Sequence, residues 1–197
     1  MKVIGVTGSS GSGKSTVSKI IQKELNAKLI VADEIVKKMQ EPGEEYFEKI
    51  VELLGNKYLN KDGKLNRKKV ADLIFKNEEK REKINKLTKK YVVTEIISKI
   101  ENSTSEYIVI DVPLLVESGL NKICNIVIGV ISNFEEQIKR ICERDNITKE
   151  EAIVRLDIQP DNEFYEKNVD YILENNGGEN DKLVGRIRTI LQELQQV

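Results

Sequence analysis

Short apolar runs alternate with amphipathic segments along this chain, and the runs predict the strands of a parallel sheet. The predicted strands cover Lys2 to Thr7, Lys28 to Val31, Tyr107 to Asp111, Asn125 to Ile131 and Asp170 to Glu174. Strands that alternate with helices are typical of α/β proteins, in which helices cover the faces of the sheet. The pattern therefore predicts an α/β fold.

Apolar residues recur at helical spacing between these runs. One face of a helix starting near Lys14 carries Val17, Ile20, Ile21 and Leu25. The same spacing in the last segment involves Leu183, Ile187, Ile190, Leu191 and Leu194. Two more helices are predicted to open at sequences with capping-box spacing, Ser132 to Glu135 and Thr148 to Glu151.

The stretch from residue 34 to residue 101 contains helical patterns and no strong strand. Its predicted apolar positions are Phe47, Ile50, Val51, Leu54, Val70, Ile74, Ile84, Leu87 and Tyr91. We therefore expect a helical insertion at residues 34–101, placed between two sheet strands of a single domain, 1–197.

A glycine-rich sequence follows the first strand. It reads Gly8-Ser9-Ser10-Gly11-Ser12-Gly13-Lys14-Ser15, which has the Walker A spacing. The glycines allow main-chain N–H groups to turn towards phosphate oxygens, and the next helix directs its positive N-terminus at the same anion. In this interpretation Lys14 bridges the β- and γ-phosphates and the Ser15 hydroxyl binds Mg²⁺.

Two carboxylates follow predicted strands. Asp33 lies after the second strand, at the sheet edge where ligands bind in open parallel sheets, and would serve there as a general base. A helix N-cap for the residues from Glu34 onward explains the same position equally well. Asp111 ends the third strand, where a Walker B carboxylate holds Mg²⁺ directly or through water; a solvent-facing strand end is the alternative.

Arg140 and Arg144 are one helical turn apart and therefore share a face. Two guanidinium groups on a mobile pair of helices would close over ATP and neutralise the charge of the transferred phosphoryl group. The alternative is a solvated helix face on which they pair with Glu136 or Glu143. Arg155, on the next helix, is a weaker candidate of the same kind.

The composition narrows the possible chemistry. The 197 residues include 32 Lys and Arg against 33 Asp and Glu, and the net charge of -1 argues against sequence-independent nucleic-acid binding. With no histidine, Ser-His-Asp catalysis and His-ligated zinc are impossible.

Cys124 and Cys142 are expected to be buried free thiols. No signal region or long apolar span is predicted, so a cytosolic protein without a membrane partner is expected.

Further short motifs accompany the glycine-rich loop. They are Val6-Thr7-Gly8, Gly11 to Thr16, Ala32-Asp33, Glu41-Pro42-Gly43, Asp62 to Leu65, Ile74 to Asn77, Val112 to Glu117, Gln137 to Arg140, Arg144-Asp145 and Asn175-Asn176-Gly177. In this order and spacing they resemble the dephospho-coenzyme A kinase family over nearly the whole chain. Among these motifs, only the glycine-rich loop is specific enough to indicate a function by itself.

The resemblance implies a P-loop kinase-like fold: a five-stranded parallel sheet of order 2-3-1-4-5, flanked by helices. It also implies that the insertion, 34–101, binds the substrate and that residues 133–160 form a helical lid. The ligands would be ATP, Mg²⁺ and dephospho-coenzyme A, with the γ-phosphoryl group passing to the ribose 3′-hydroxyl. A monomer is favoured, and no nucleic acid is implied.

Site roles follow from the resemblance by position. Asp33 becomes the base and is aided in catalysis by Lys14 and Arg140. The implied ATP-binding residues are Gly8, Gly11, Ser12, Gly13, Lys14, Ser15, Thr16, Arg140, Arg144 and Asn175, the last near the adenine. The implied substrate-binding residues are Asp33, Pro113, Leu114, Leu115 and Glu117, and Ser15 and Asp111 would bind the metal.

Two departures from the family pattern fall on the acceptor side. The family often has an Asp where this chain has Val31, and commonly His-Pro where it has Thr88-Lys89. The loop is also compatible with a kinase of nucleosides or nucleoside monophosphates, or with a non-catalytic nucleotide switch. A kinase of nucleosides or nucleoside monophosphates would share the ATP-binding features, so only the insertion at residues 34–101 distinguishes it from the favoured function.

Overall fold

The computed structural model describes residues 1–178 and 180–196, so Glu179 and Val197 of the predicted 1–197 domain lie outside the described residues. The five strands β1 to β5 cover Lys2–Thr7, Lys28–Val31, Tyr107–Asp111, Ile126–Ile131 and Tyr171–Glu174. The predicted strands agree with these bounds to within one residue at each end.

The strands form one sheet of order β2-β3-β1-β4-β5. The central strand β1 runs parallel to both of its neighbours, with Val6 opposite Asp111 in β3 and Thr7 opposite Gly129 in β4. Strand β5 runs parallel to β4. This arrangement confirms the predicted sheet and brings the ends of β1, β3 and β4 to one edge, where the glycine-rich loop begins.

The helices occupy the segments between and after the strands. In chain order, α1 to α10 cover Lys14–Leu25, Ala32–Met39, Glu45–Leu54, Arg67–Lys76, Glu78–Glu101, Leu115–Ser118, Phe134–Asp145, Lys149–Asp157, Asn162–Asn168 and Asn180–Gln196. Short 3₁₀ helices cover Asn56–Tyr58 and Leu120–Ile123. The pattern of apolar residues had not predicted α6 or α9, which are too short to show a helical period.

The chain divides into two compact units. One consists of residues 1–30 and 102–197, and the other of residues 31–101. The first contains a core of sheet residues such as Ile4 and Val130, together with the apolar faces of α1 and α10. All five apolar residues predicted on the last helix are buried.

The unit of residues 31–101 has an apolar interior of its own, built from helices. Phe47, Ile50 and Leu54 on α3 and Ile84 and Ile96 on α5 are buried. Burying such side chains stabilises a fold by about 1.5–3 kcal/mol each before chain entropy is counted. The helical character expected for the insertion therefore rests on a continuous apolar interior.

Helix α7 begins one residue later than its predicted cap. Its N-cap is Asn133, whose side-chain oxygen accepts from the Glu136 main-chain N–H at 2.9 Å. The prediction that Ser132 caps this helix is wrong, because the Ser132 hydroxyl donates to the Asn175 carbonyl at 2.8 Å instead. The capping box predicted at Thr148 and Glu151 is confirmed.

Both cysteines are free thiols and both are half-buried, so the expected full burial is not observed. Burial raises the pKa of the Cys124 thiol to about 12. Within residues 1–178 and 180–196, no helix is long and apolar enough to cross a lipid bilayer.

Candidate active site

The glycine-rich loop, which we call the phosphate loop (Gly8 to Ser15), links β1 to α1. Gly11 and Gly13 adopt positive φ angles of 74° and 94°, which side chains disfavour. A methyl group on Gly11 would lie 2.6 Å from the carbonyl oxygen of Gln137, and one on Gly13 would collide with the amide of Asn175. Glycine is therefore required at both positions by backbone conformation and by space.

The positive charges of the loop gather at its end. Helix α1 begins at Lys14, so the partial positive charge of its N-terminus lies at the loop. The Lys14 ammonium donates to the Ser9 carbonyl oxygen at 2.8 Å and so folds back along the loop. Ser15 and Thr16 are exposed in the first turn of α1. Main-chain amides, a helix N-terminus and an ammonium group in one turn make a polyphosphate site.

Arg140 on α7 reaches the phosphate loop. Its guanidinium donates to the carbonyl oxygens of Gly11 at 3.0 Å and Ser12 at 3.2 Å. It also pairs with Glu136 at 2.9 Å and lies 3.5 Å from the side-chain oxygen of Asn175. The sequence left two alternatives for Arg140, a glutamate partner on its own helix or a place near the phosphates. In the structure Arg140 pairs with a glutamate of its own helix and also lies beside the phosphate loop.

Asn175, which directly follows β5, joins three segments. Its main-chain N–H donates to the Ile131 carbonyl at the end of β4 at 2.8 Å. Its side-chain amide donates to the Ser12 carbonyl at 3.0 Å. The contact with Ser132 fixes its carbonyl group as well. Asn175 thus holds the loop against the ends of β4 and β5.

Arg144 takes part in a chain of contacts that we call the lid ring (Ser10, Arg144, Asp145, Arg155 and Gln159), after the lid predicted at residues 133–160. Arg144 donates to the Ser10 hydroxyl at 3.2 Å and to Asp145 at 2.8 Å, and Arg155 donates to Asp145 at 2.6 Å. The side-chain oxygen of Gln159 accepts from the Ser10 main-chain N–H at 2.7 Å. Hydrogen bonding to Arg144 and the charges of both arginines lower the pKa of the Asp145 carboxyl below its ordinary value.

Two glutamines in this region were not predicted. Gln137 is buried on α7 and its amide donates to the hydroxyl of Ser9, which is also buried. It lies three residues before Arg140, so the shared helix face is a signal that could have identified it. Gln159 lies beyond the end of α8, outside any periodic pattern, and carried no such signal.

Asp111 ends β3 and is 3% exposed, beside the strand that leads into the phosphate loop. The described residues contain no group of three or more carboxylate or cysteine side chains that could hold a metal on their own. Mg²⁺ in phosphoryl-transfer sites is bound by one or two protein oxygens together with phosphates and water. One carboxylate and the Ser15 hydroxyl therefore fit a metal that arrives with a nucleotide, rather than one held by protein alone.

The segment after Asp111 was expected to contact the substrate. The Pro113 carbonyl accepts from the Thr7 hydroxyl at 3.0 Å, at the start of the phosphate loop. Leu114 is 58% exposed and Glu117 is also exposed, whereas Leu115 is completely buried in the core. Leu115 therefore stabilises the turn, and its neighbours are the accessible side chains of the segment.

Asp33 is exposed in the first turn of α2. The N-cap of that helix is Val31, so the alternative in which Asp33 itself caps the helix does not hold. Within the unit of residues 31–101, Asp33 lines an open groove of about 390 Å³. The other lining residues are Val36, Lys37, Gln40, Leu65, Arg67, Val70, Ala71 and Ile74.

Thr88, at one of the two departures from the family pattern, belongs to the interior of this unit. Its hydroxyl lies 2.8 Å from the Tyr46 hydroxyl and 2.8 Å from the Ile84 carbonyl oxygen. Burial raises the pKa of Tyr46, which stays protonated at neutral pH. The Thr88 hydroxyl is thus accommodated by one contact to Tyr46 on α3 and one hydrogen bond within α5, to the Ile84 carbonyl.

The sheet order, the phosphate loop after β1 and the arginine-bearing helix against it define a P-loop kinase. A family model described as dephospho-CoA kinase matches residues 2–181 of the chain. The chain belongs to the dephospho-CoA kinase family.

Individual relatives agree with this assignment. A dephospho-CoA kinase of Fusobacterium nucleatum is 41% identical over 174 residues, covering 88% of this chain and 89% of its own. A solved dephospho-CoA kinase from Campylobacter jejuni is similar with a TM-score of 0.68 and 30% identity, covering 100% of this chain and 98% of its own. A Thermus thermophilus protein has the same fold, with a TM-score of 0.83, 24% identity, and coverage of 98% and 97%.

Proposed function

We propose that this protein transfers the γ-phosphoryl group of MgATP to the ribose 3′-hydroxyl of dephospho-coenzyme A, giving coenzyme A and ADP. The observation that carries the proposal is the phosphate loop, with Lys14 at its end and Arg140 against its carbonyls, in a chain of this family. Because the transition state of phosphoryl transfer is loose, the protein contributes mainly positioning and neutralisation of charge.

ATP is bound by the phosphate loop and the lid. The loop amides and Lys14 take the β- and γ-phosphates, and Arg140 and Arg144 neutralise the charge of the transferred group. Asn175 marks the adenine side. The full set is Gly8, Gly11, Ser12, Gly13, Lys14, Ser15, Thr16, Arg140, Arg144 and Asn175.

Ser15 and Asp111 are the residues that would hold Mg²⁺, directly or through water. A bound metal would supply charge neutralisation for the phosphates of the nucleotide. The low exposure of Asp111 supports this role, because a carboxylate in such surroundings interacts strongly with a nearby cation.

The acceptor is bound by the groove of residues 31–101 and by Pro113, Leu114 and Glu117. Asp33 accepts the proton of the ribose 3′-hydroxyl. The hydroxyl oxygen attacks the γ-phosphorus as the bond between that phosphorus and the β-phosphate oxygen breaks, and ADP leaves. The apolar wall of the groove suits the pantetheine arm, and the cationic side chains of Lys37 and Arg67 suit the diphosphate. Leu115, expected among the substrate contacts, supports this segment from the core.

Residues 133–160, which include α7 and α8, act as the lid, and residues 34–101 act as the substrate-binding insertion. The lid helices pack against each other through a small apolar cluster of Ile138, Ile141, Ala152 and Leu156. Arg140 and Arg144 project from α7 towards the loop.

Mass spectrometry of dephospho-coenzyme A after incubation with MgATP tests the proposal. We expect one added phosphoryl group, which fragmentation or a 3′-nucleotidase places on the ribose 3′-oxygen. A parallel assay of ADP release with nucleosides and nucleoside monophosphates should show little turnover. Faster turnover of any of those acceptors than of dephospho-coenzyme A would contradict the proposal, as would ATP binding without transfer.

A further inference from the structure

Two side chains of the lid reach the same residue of the phosphate loop from different helices. Gln159, two residues past the end of α8, accepts the Ser10 N–H at 2.7 Å. Arg144 on α7 donates to the Ser10 hydroxyl at 3.2 Å. The main-chain N–H and the hydroxyl of Ser10 are thus both bound by side chains of the lid.

The Gln159 side chain is itself held at both ends. Its amide nitrogen donates to the Arg155 carbonyl oxygen at 3.0 Å, while its oxygen binds Ser10. Its main-chain N–H donates to the Leu156 carbonyl at 2.9 Å, which fixes the backbone as well. A carboxamide with both its donor and its acceptor engaged has one orientation, and it imposes that orientation on the peptide it binds.

Ser10 lies directly before the part of the loop that turns through Gly11 and Gly13. The direction of its N–H group therefore influences where the following amides point. Phosphoryl transfer is sensitive to such placement, since an error of about 1 Å can lower a rate by about 100-fold. A contact that fixes this peptide from the lid also fixes the distance between the loop and Arg144.

We propose that Gln159 is a positioning residue for phosphoryl transfer: its carboxamide fixes the Ser10 peptide and so holds the phosphate loop and Arg144 in one arrangement. The inference rests on the proposed function, because its effect is measured on that reaction. Gln159 acts through Ser10 and Arg144 and takes no proton or phosphoryl group itself.

The first test replaces Gln159 with methionine, which has a similar shape and can make neither hydrogen bond. We expect kcat to fall about tenfold, the cost of a lost hydrogen bond that orders a reacting group. The KM for ATP should change less than about threefold, since the phosphate contacts remain. Gln192→Met, at an exposed position of α10, is the matched control and should leave both constants unchanged.

The second test separates positioning from a merely structural tether. Gln159→Glu keeps an acceptor oxygen for the Ser10 N–H, loses the hydrogen bond to the Arg155 carbonyl and adds a negative charge near the phosphates. We expect kcat within about threefold of the unmodified protein and a raised KM for ATP. If Gln159 only anchored α8, its replacement by glutamate would not raise the KM for ATP while leaving kcat nearly unchanged.

Hydrogen exchange provides a measurement independent of turnover. Peptides that contain residues 8–12 should exchange faster in Gln159→Met than in Gln192→Met, while peptides from β4 should not differ. A double-mutant cycle with Ser10→Ala completes the test. If both residues act through one arrangement, the double variant loses less in kcat than the product of the two single losses.

The outcomes separate the two proposals. Turnover by the unmodified protein with an unchanged kcat in Gln159→Met overturns the inference and leaves the proposed function intact. Additive losses in the cycle, or unchanged exchange of the loop peptides, overturn it too. Lack of transfer by the unmodified protein overturns the proposed function, and the inference with it.

Discussion

The phosphate loop and the groove of the insertion hold their site residues in opposite ways. In the loop, Ser9 and Ser12 are at most 5% exposed, and side chains of the lid bind the loop's carbonyls and hydroxyls. In the groove, Asp33, Lys37 and Arg67 are exposed side chains on helices. The comparison teaches that contacts within the protein order the phosphate loop, whereas the charged side chains of the groove lie open to solvent.

The largest expected effect is on the donor site. Lys14→Ala removes the ammonium that neutralises the β- and γ-phosphates, so kcat should fall by at least about 10⁴-fold with any acceptor. Steady-state assays with dephospho-coenzyme A measure this. Lys19→Ala, exposed on the same helix, is the control. Turnover retained in Lys14→Ala would mean that the loop does not hold the reacting phosphates.

The second prediction concerns Asp33, the proposed base on the acceptor side. Asp33→Asn keeps the shape of the side chain and removes the proton acceptor, so kcat should fall about a thousandfold. Calorimetric titration should find ATP affinity unchanged, because Asp33 belongs to the acceptor side. Glu34→Gln, the neighbouring exposed carboxylate, should behave like the unmodified protein. Near-normal kcat in Asp33→Asn would remove Asp33 from the role of base.

A smaller effect is expected from Arg67, one of the two cationic side chains named in the groove. Arg67→Ala should raise the KM for dephospho-coenzyme A about tenfold or more and leave the KM for ATP unchanged, because a charged hydrogen bond to a phosphate is lost. Lys68→Ala, exposed on the same helix but outside the groove, is the matched control. Equal changes in the KM for ATP and the KM for dephospho-coenzyme A would contradict the proposal that the groove binds the acceptor and not the donor.

The smallest effect concerns the lid ring and depends on pH. Arg144 and Arg155 lower the pKa of Asp145 in the folded protein, so its carboxylate stabilises the fold above the unfolded pKa of about 4. That contribution is lost as the pH falls through the folded pKa. Asp145→Asn should therefore lower the Tm by about 2–4 °C at pH 7.

Thermal unfolding across pH provides the check on this prediction. The difference in Tm between Asp145→Asn and the unmodified protein should shrink below about pH 4. Asp157→Asn, exposed at the end of α8, serves as the control. A difference that stayed constant down to pH 3 would show that the Asp145 carboxylate does not stabilise the lid through its charge.

Much of the sheet unit could be predicted because its signals are local. Apolar runs defined all five strands, and the spacing of glycines with Lys14 defined the loop. The prediction failed at the cap of α7, where Ser132 and Asn133 are both good capping residues. The choice between them depends on Asn175, which is 43 residues away and binds the Ser132 hydroxyl.

The contacts of the candidate site were harder to predict than its members. Arg140 was predicted as a site residue, and its bonds to the carbonyls of Gly11 and Ser12 could not be predicted because they depend on how α7 packs against the loop. Gln159 is recognisable only in the structure, because a residue after a helix end has no periodicity. The roles of the groove residues, the lid and the cytosolic location remain predictions.

The position of β1 in the sheet has a consequence for how the protein is made. Both neighbours of β1 come late in the chain: Lys2 is paired with Tyr107, and Ile4 with Ile126. On a ribosome that adds about 5–20 residues per second, β1 waits on the order of ten seconds for its partners to emerge. During that interval β1 lacks its sheet partners, while the helices of residues 31–101 are synthesised and can pack against one another as they emerge.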